Sequence, residues 1–260
     1  MSWALSCLQF RQYYDQVELV TDSKGKALLV DQMKLPYTRV QTDLDDLDPY
    51  HPRLWALSKI YCFQRQQEPF IHADGDVFIW EKFDDAIEQA PLVAQHLEVD
   101  FFYYKPIIEQ VKARFDYIPS CLQKDWQENR VIHAYNSGIQ GGSDVDLLKA
   151  YARETFTFLR KNYHAMDDIL AENMALFDQY FFYCYAREQN KAVRCYARDI
   201  DIEFEAFSDF KGVPGKVKYL HPLNFFKKQE RRCEQLAFRL RQDYPEYYYR
   251  ILHLLKTFKI

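Results

Sequence analysis

Helical and extended segments alternate along the first part of this chain, and this alternation restricts the possible folds more than any other feature. Short apolar runs of strand type lie at 17–21, 37–40, 69–73, 77–80 and 91–94. Segments with helical apolar spacing precede and separate them, at 3–14, 27–33, 54–66 and 83–87. Further helices are predicted at 103–114, 147–162, 167–187 and from 229 to the end, with a break near Pro245. This order predicts an α/β fold with a mostly parallel sheet flanked by helices and a helical C-terminal segment.

Length and composition favour one globular domain over residues 1–260. Hydrophobic residues make up 48% of the chain, which supports a large core and excludes a disordered protein. No internal repeat or Gly/Ser linker divides the sequence.

No apolar run approaches the ~20 residues that span a bilayer, and no signal-peptide pattern is present. We therefore expect a cytoplasmic protein without a transmembrane segment. The six cysteines form no Cys-x-x-Cys pair, and most are expected to be reduced core residues.

Charge is unevenly distributed along the chain. The net charge of -4 gives no reason to expect nucleic acid as a partner. From residue 211 onward, however, twelve Lys and Arg residues stand against four acidic residues. The basic, mostly helical segment 216–260 could close on an anionic ligand, or it could form an ordinary solvated helix face. The second interpretation is the more common one for such a pattern.

The motif Asp74-Gly75-Asp76 directly follows the predicted strand 69–73. Ligands of α/β sheets bind at the carboxyl ends of strands, and carboxylate oxygens suit Mg²⁺ or Mn²⁺. A metal ion held there would neutralise a diphosphate leaving group. The alternative is a two-residue hairpin turn, since Asp-Gly is a standard turn pair between apolar strands. A turn accounts for Gly75 but does not require Asp76, and the segment by itself leaves both interpretations open.

Only seven glycines occur in the chain, and one cluster of them lies in the segment 135–146. Its members are Gly138, Gly141 and Gly142. They would let the backbone approach a substrate, while Ser143 or Asp144 could cap the helix that follows. The segment lacks the spacing of a phosphate-binding loop, so a glycine-rich turn with a helix cap is the simpler interpretation.

A second glycine-containing segment, 212–228, contains His221 between lysines. The imidazole could supply a nitrogen ligand to a metal ion, and the ammonium groups could bind phosphate. A lone histidine is more often structural than functional, and the segment by itself does not decide between the two.

Taken together and in this order, the segments resemble the metal-dependent glycosyltransferases of the GT-A fold, especially the glycogenin-like and capsular-polysaccharide-type families. They resemble more closely a group of uncharacterised bacterial proteins related to those families. The stretches that carry the resemblance span most of the chain and are 17–22, 55–59, 69–76, 136–142, 177–180 and His221. The strongest single element is the Asp-x-Asp motif after a buried strand.

The resemblance implies a GT-A-like, Rossmann-type sheet and assigns roles to individual residues. Asp74 and Asp76 would bind Mn²⁺ or Mg²⁺, with His221 as a third metal ligand. The residues implied to bind the nucleotide-sugar are Thr21, Asp22, Lys59, Asp74, Asn136, Gly138, Gln140, Gly141, Gly142 and Lys227. An inverting reaction would also need a catalytic carboxylate near the acceptor, whereas a retaining reaction would not. The candidates for that carboxylate are Asp178, Asp144 and Asp146.

The expected protein is an enzyme, a metal-dependent glycosyltransferase of the hexosyltransferase type. It would move a sugar from a nucleoside diphosphate sugar, with a UDP-sugar favoured, to a hydroxyl of an unknown saccharide, peptide or lipid-linked acceptor. The alternatives are a metal-dependent nucleotidyltransferase or phosphohydrolase, and a non-catalytic glycosyltransferase-like binding module. Helix-like sequence occupies the start of the chain, where related proteins usually have a strand. An exposed sheet edge there would favour either a homodimer or a weakened donor site.

Overall fold

The computed structural model describes residues 1–51, 53–128, 130–166, 174–197, 209–222 and 227–258. Its helices are α1 (Ser2–Tyr13), α2 (Ser23–Lys26), α3 (Ala56–Arg65), α4 (Asp85–Glu88), α5 (Tyr104–Arg114), α6 (Ser120–Glu128), α7 (Val145–Lys161), α8 (Phe181–Glu188), α9 (Glu230–Asp243) and α10 (Pro245–Phe258). Its strands are β1 (Glu18–Val20), β2 (Arg39–Gln41), β3 (Phe70–Ala73), β4 (Phe78–Ile79), β5 (Val93–Val99), β6 (His133–Gly142), β7 (Arg194–Cys195) and β8 (Tyr219–Leu220). A π-helical segment, Ala27–Gln32, follows α2, and another, Leu176–Tyr180, precedes α8.

The predicted α/β class is confirmed. The strands pair in both directions: β1 with β2 and β5 with β7 are parallel, whereas β5 with β6 and β4 with β8 are antiparallel. The sheets therefore combine both kinds of pairing, where the sequence predicted a mostly parallel sheet. No helix in the described part of the chain is long and apolar enough to cross a membrane.

The chain forms two compact units, each built from segments that are distant in sequence. Unit 1 comprises Met1–Asp46, Ala73–Phe83 and Asp201–Ile260, and unit 2 comprises Leu47–His72 and Asp84–Ile200. The single domain expected from the sequence stays a prediction.

In unit 1, α1, β4 and the two C-terminal helices share a hydrophobic core. Helix α1 buries Ala4, Leu5 and Leu8, and it packs against β4 and α9. The C-terminal helices contribute apolar residues to the same core, among them Leu240 and Ile251. The helical break predicted near Pro245 is confirmed, because α9 ends at Asp243 and α10 begins at the proline, which is tolerated in a first helical turn.

In unit 2, a four-stranded sheet has the order β3-β6-β5-β7. Helix α7 presents an apolar face to the interior. On this face, the rings of Tyr151 and Phe158 pack against the ring of Phe181, with 5.8 Å and 5.6 Å between the ring centroids. Such aromatic pairs add directional packing to the burial of apolar area. The helix predicted at 167–187 is found from Leu176 onward, while residues 167–173 lie outside the described residues.

Candidate metal centre

The loop that carries Asp74 and Asp76 is a tight turn in unit 1. The Val77 N–H donates to the Asp74 carbonyl oxygen at 2.9 Å and closes the turn. The strand that follows, β4, pairs antiparallel with β8. The pairing places Leu220, at the end of β8, opposite Phe78, at the start of β4. His221, the residue after β8, therefore lies next to the turn that precedes β4. A histidine from a distant part of the sequence thereby joins the acidic motif.

Three potential metal ligands converge at this point. One ligand atom from each of Asp74, Asp76 and His221 lies within 4.8 Å of the others. The His221 Nε2 atom is 3.5 Å from Oδ1 of Asp76 and 3.9 Å from Oδ2 of Asp74. The imidazole is buried, whereas the carboxylates are 23% and 21% exposed and therefore accessible to an ion from solvent.

The electrostatics of the cluster favour an ionised Asp76. Burial by itself raises the pKa of this carboxyl, and Asp74 adds to that effect. A hydrogen bond from His221 and the positive charges of His221 and Lys227 outweigh both, so the pKa is lower than its usual value. The Lys227 Nζ atom lies 2.5 Å from Oδ2 of Asp76. Asp76 is thus a carboxylate at neutral pH, which is the form that binds metal ions.

The chemistry of the ligands fits a divalent cation. Carboxylate oxygens are the ligands that Mg²⁺ and Mn²⁺ take in proteins. Mg²⁺ strongly prefers oxygen, so the imidazole nitrogen of His221 favours Mn²⁺ of the two. Among the residues that the structure describes, no other three His, Cys, Asp or Glu side chains lie close enough together to hold an ion.

The predicted nucleoside-binding residues Thr21 and Asp22 form the turn at the carboxyl end of β1, also in unit 1. The Asp22 carboxylate caps α2 by accepting a hydrogen bond from the Gly25 N–H at 2.5 Å. The Thr21 side chain is buried, and a Cβ at Gly25 would collide with its hydroxyl. Both residues therefore build the turn, and their contact with a nucleoside stays a prediction.

Other predicted site residues lie in unit 2, where Lys59 and Asp178 form a buried ion pair. The Lys59 Nζ is 3.4 Å from Oδ2 of Asp178, and the side chains are 4% and 2% exposed. Lys59 also donates to the carbonyl oxygen and the hydroxyl of Ser137, at 2.8 Å and 3.0 Å, and that hydroxyl donates to Asp178 at 2.7 Å. The Gln140 amide donates to the Asp178 carbonyl oxygen at 3.1 Å. The Lys59 ammonium group is thus held by oxygens of unit 2, and its contact with a phosphate stays a prediction.

A second buried cluster surrounds Glu98 on β5, and sequence patterns had not singled it out. The carboxylate accepts hydrogen bonds from the hydroxyls of Tyr103 and Tyr104, both at 2.6 Å, and from the Asn136 amide at 3.0 Å. Burial raises the pKa of Glu98, but these hydrogen bonds and one from His96 lower it overall. The predicted sugar-side residue Asn136 therefore supports a buried carboxylate. The available signal was the group of polar residues inside the otherwise apolar strand β5.

Gly141 and Gly142 have a packing role at the end of β6. Both have positive φ, +157° and +137°. A Cβ at Gly141 would collide with the carbonyl oxygen of Phe70, and one at Gly142 with that of Pro91. Residues 135–142 therefore belong to a strand, and the glycine-rich turn expected there is wrong for them. Gly138 is buried within the same strand. Gly141 and Gly142 are needed because the end of β6 passes close to neighbouring backbone.

Comparison with known proteins places the chain in a family. Residues 1–254 match the family described as DUF6734, a family of unknown function. The chain belongs to the DUF6734 family. No curated protein and no solved structure matches it. The matched region includes the candidate metal centre and both buried clusters of this DUF6734 member.

The cap proposed for the helix after the glycines is confirmed as Asp144. Its Oδ1 accepts a hydrogen bond from the Leu147 N–H at 3.2 Å at the start of α7, and its Oδ2 contacts the Lys191 Nζ at 2.7 Å. The hydrogen bond from Lys191 lowers the pKa of Asp144, and the Leu147 N–H lowers it further. A lower pKa makes a carboxylate a weaker general base. The catalytic role of Asp144 in this DUF6734 protein stays a prediction.

Replacing Gly141 by alanine is expected to destabilise the protein by about 2 kcal/mol, because the new methyl group would meet a carbonyl oxygen in a strained backbone conformation. Urea unfolding followed by circular dichroism measures the change. Gly215→Ala is the control, since among the described residues a Cβ there has only the Gly212 carbonyl oxygen within 4 Å, at 3.9 Å. We expect it to change stability by less than ~0.5 kcal/mol. Equal effects of the two substitutions would contradict the packing role of Gly141.

Proposed function

We propose that this member of the DUF6734 family is a metal-dependent glycosyltransferase of the GT-A type. It would transfer a hexose from a nucleoside diphosphate sugar, with UDP-sugars as the first candidates, to an acceptor hydroxyl. The observation that carries the proposal is the convergence of Asp74, Asp76 and His221. Two carboxylates one residue apart and a histidine from a later part of the sequence could hold a divalent ion. The positive charge of that ion would neutralise the diphosphate of the donor.

The basic group beside this cluster supports the proposal. Lys227 contacts Asp76, and its side chain is 44% exposed. Because a long lysine side chain can move its ammonium group without disturbing buried packing, Lys227 could transfer from the carboxylate to a phosphate. A cation site with an adjacent mobile ammonium group is suited to a diphosphate.

The arrangement of β1 and β2 supports a GT-A-like nucleotide-binding half. The two strands are parallel, and Thr21 and Asp22 follow β1 directly. Ligands of α/β folds bind at the carboxyl ends of such strands. The turn after β1 is therefore the expected position of the nucleoside.

Each residue of the candidate metal centre in unit 1 would have its own role in the reaction. A divalent ion, when bound, would neutralise charge that develops on the departing diphosphate. Asp74 and Asp76 would bind that ion, and the buried His221 imidazole would add a rigid third ligand. Lys227 would place a further positive charge on the leaving group, a form of electrostatic stabilisation that acts mainly in the transition state. In unit 2, the catalytic role of Asp178 stays a prediction.

Calorimetric titration of UDP and GDP, with and without Mn²⁺, tests the donor site. We expect at least tenfold tighter binding of one nucleotide when Mn²⁺ is present. The preferred nucleotide then selects a panel of sugar donors, and nucleoside diphosphate release is measured with and without saccharide acceptors. Release that depends on an acceptor would support the transferase.

Two other outcomes would replace the proposal. If neither nucleotide binds in the presence of Mn²⁺, a non-catalytic module becomes the better description. If the protein releases pyrophosphate or inorganic phosphate without any acceptor sugar, it is a nucleotidyltransferase or phosphohydrolase.

A further inference from the structure

Helix α1 contacts the acidic turn at the residue between its two carboxylates. The Ser2 hydroxyl donates to the Gly75 carbonyl oxygen at 2.7 Å. The Trp3 indole lies against the same glycine, since a Cβ there would be 2.5 Å from the indole Cε2 atom. Gly75 determines how the chain turns from Asp74 to Asp76. Both contacts therefore act on the residue that sets the separation of the two carboxylates.

The same helix holds the strand that follows the turn. The Gln9 side chain is 1% exposed, and one orientation of its amide satisfies both of its polar groups. In that orientation it donates to the Ile79 carbonyl oxygen at 2.8 Å and accepts from the Trp80 indole N–H at 3.3 Å. The segment 75–80 is thus attached to α1 at both of its ends.

The position of Trp3 is not explained by core packing alone. Its side chain is 47% exposed, whereas the next two residues, Ala4 and Leu5, are fully buried and attach the helix to the core of unit 1. A half-exposed ring gains less from burial than a core residue. The ring instead lies close to Gly75 in the acidic turn.

We propose that Ser2 and Trp3 are positioning residues of the metal centre, which fix Gly75 and so hold Asp74 and Asp76 at the separation that an ion requires. This inference rests on the proposed function in taking these carboxylates as metal ligands, but not on the identity of the sugar. Groups that orient the direct metal ligands without contacting the ion contribute roughly 10–100-fold to metal affinity. Neither residue would contact the ion itself.

A titration of the full chain with Mn²⁺ alone tests the inference. Electron paramagnetic resonance measures the free Mn²⁺ that remains at each step. Ser2→Ala and Trp3→Ala are each expected to weaken binding about tenfold. Ser2→Thr keeps the hydroxyl and Trp3→Phe keeps a ring, so both should recover most of the affinity. The exposed residues Ser120 and Trp55 of unit 2 provide matched control substitutions to alanine, which should leave Mn²⁺ binding unchanged.

A double-mutant cycle separates positioning from loss of folding. Gly75→Ala should weaken Mn²⁺ binding in the otherwise unchanged chain, because its methyl group would collide with the indole. In the Trp3→Ala background the collision is removed, so the same substitution should cause no further loss. Thermal unfolding of each apo variant is measured alongside.

The outcomes distinguish this inference from the proposed function. If the unaltered chain binds Mn²⁺ and the Ser2→Ala, Trp3→Ala and Gly75→Ala variants bind it equally well, the positioning role is overturned and the metal centre stands. If the unaltered chain does not bind Mn²⁺, the metal centre and the positioning role are both overturned. If affinity falls only in proportion to the loss of folded protein, and the Thr and Phe variants do not recover it, the residues are merely structural.

Discussion

Asp76→Ala is expected to abolish metal-dependent nucleotide binding. The substitution removes one of the two carboxylates and the ion-pair partner of Lys227, so the site has less negative charge with which to hold a cation. Loss of a direct ligand should cost more than the roughly 10–100-fold that loss of a supporting group costs. Calorimetry with UDP or GDP and Mn²⁺ measures the effect, and donor turnover should fall with it.

The matched control for this substitution is Asp31→Ala, which removes an exposed carboxylate from the same unit. It changes the net charge equally, so a general electrostatic effect would appear in both variants. If Asp76→Ala binds nucleotide with the same Mn²⁺ dependence as the unaltered chain, the cluster is not the donor site.

Lys59→Met is expected to destabilise the protein by about 3–5 kcal/mol, because it leaves the Asp178 carboxylate buried without its cation. Ser137 would still donate to that carboxylate, but a neutral hydroxyl cannot balance a full charge. Urea unfolding measures the free energy. Adding Asp178→Asn should recover part of the loss, because the double variant contains no unbalanced charge.

A surface ion pair of the same length provides the control. Arg39 and Glu18 also lie 3.4 Å apart, but their side chains are 63% and 31% exposed. Arg39→Met should therefore cost less than about 1 kcal/mol. A loss in Lys59→Met no larger than in Arg39→Met would mean that the buried pair does not stabilise unit 2.

Helices and strands with a clear apolar period were predictable from the sequence. Helix α7 was expected at 147–162 and is found at Val145–Lys161, and the strand expected at 69–73 is found at Phe70–Ala73. Strand β6 was missed because its three glycines indicate a turn by local rules. At Gly141 and Gly142, glycine is explained by close contact with the backbone of Phe70 and Pro91, which the local sequence does not indicate.

The candidate site was predictable in part. The acidic motif and His221 were selected separately from the sequence, and the structure brings them together in unit 1. The contacts that surround each predicted site residue could not be predicted from the sequence. Whether Lys59 is free for a phosphate depends on Ser137 and Asp178, which are distant in sequence and close in space. No spacing rule relates these positions.

The sequence by itself determined the approximate positions of the elements with a clear apolar period, and that two carboxylates follow a strand, because hydrophobic period and turn chemistry act between near neighbours. The tertiary structure alone decided which distant groups meet those carboxylates. Pairing of β4 with β8 brings in His221, and packing of α1 brings Trp3 onto Gly75. Such contacts depend on register and side-chain packing between remote segments, and a local pattern does not specify the partner of either one.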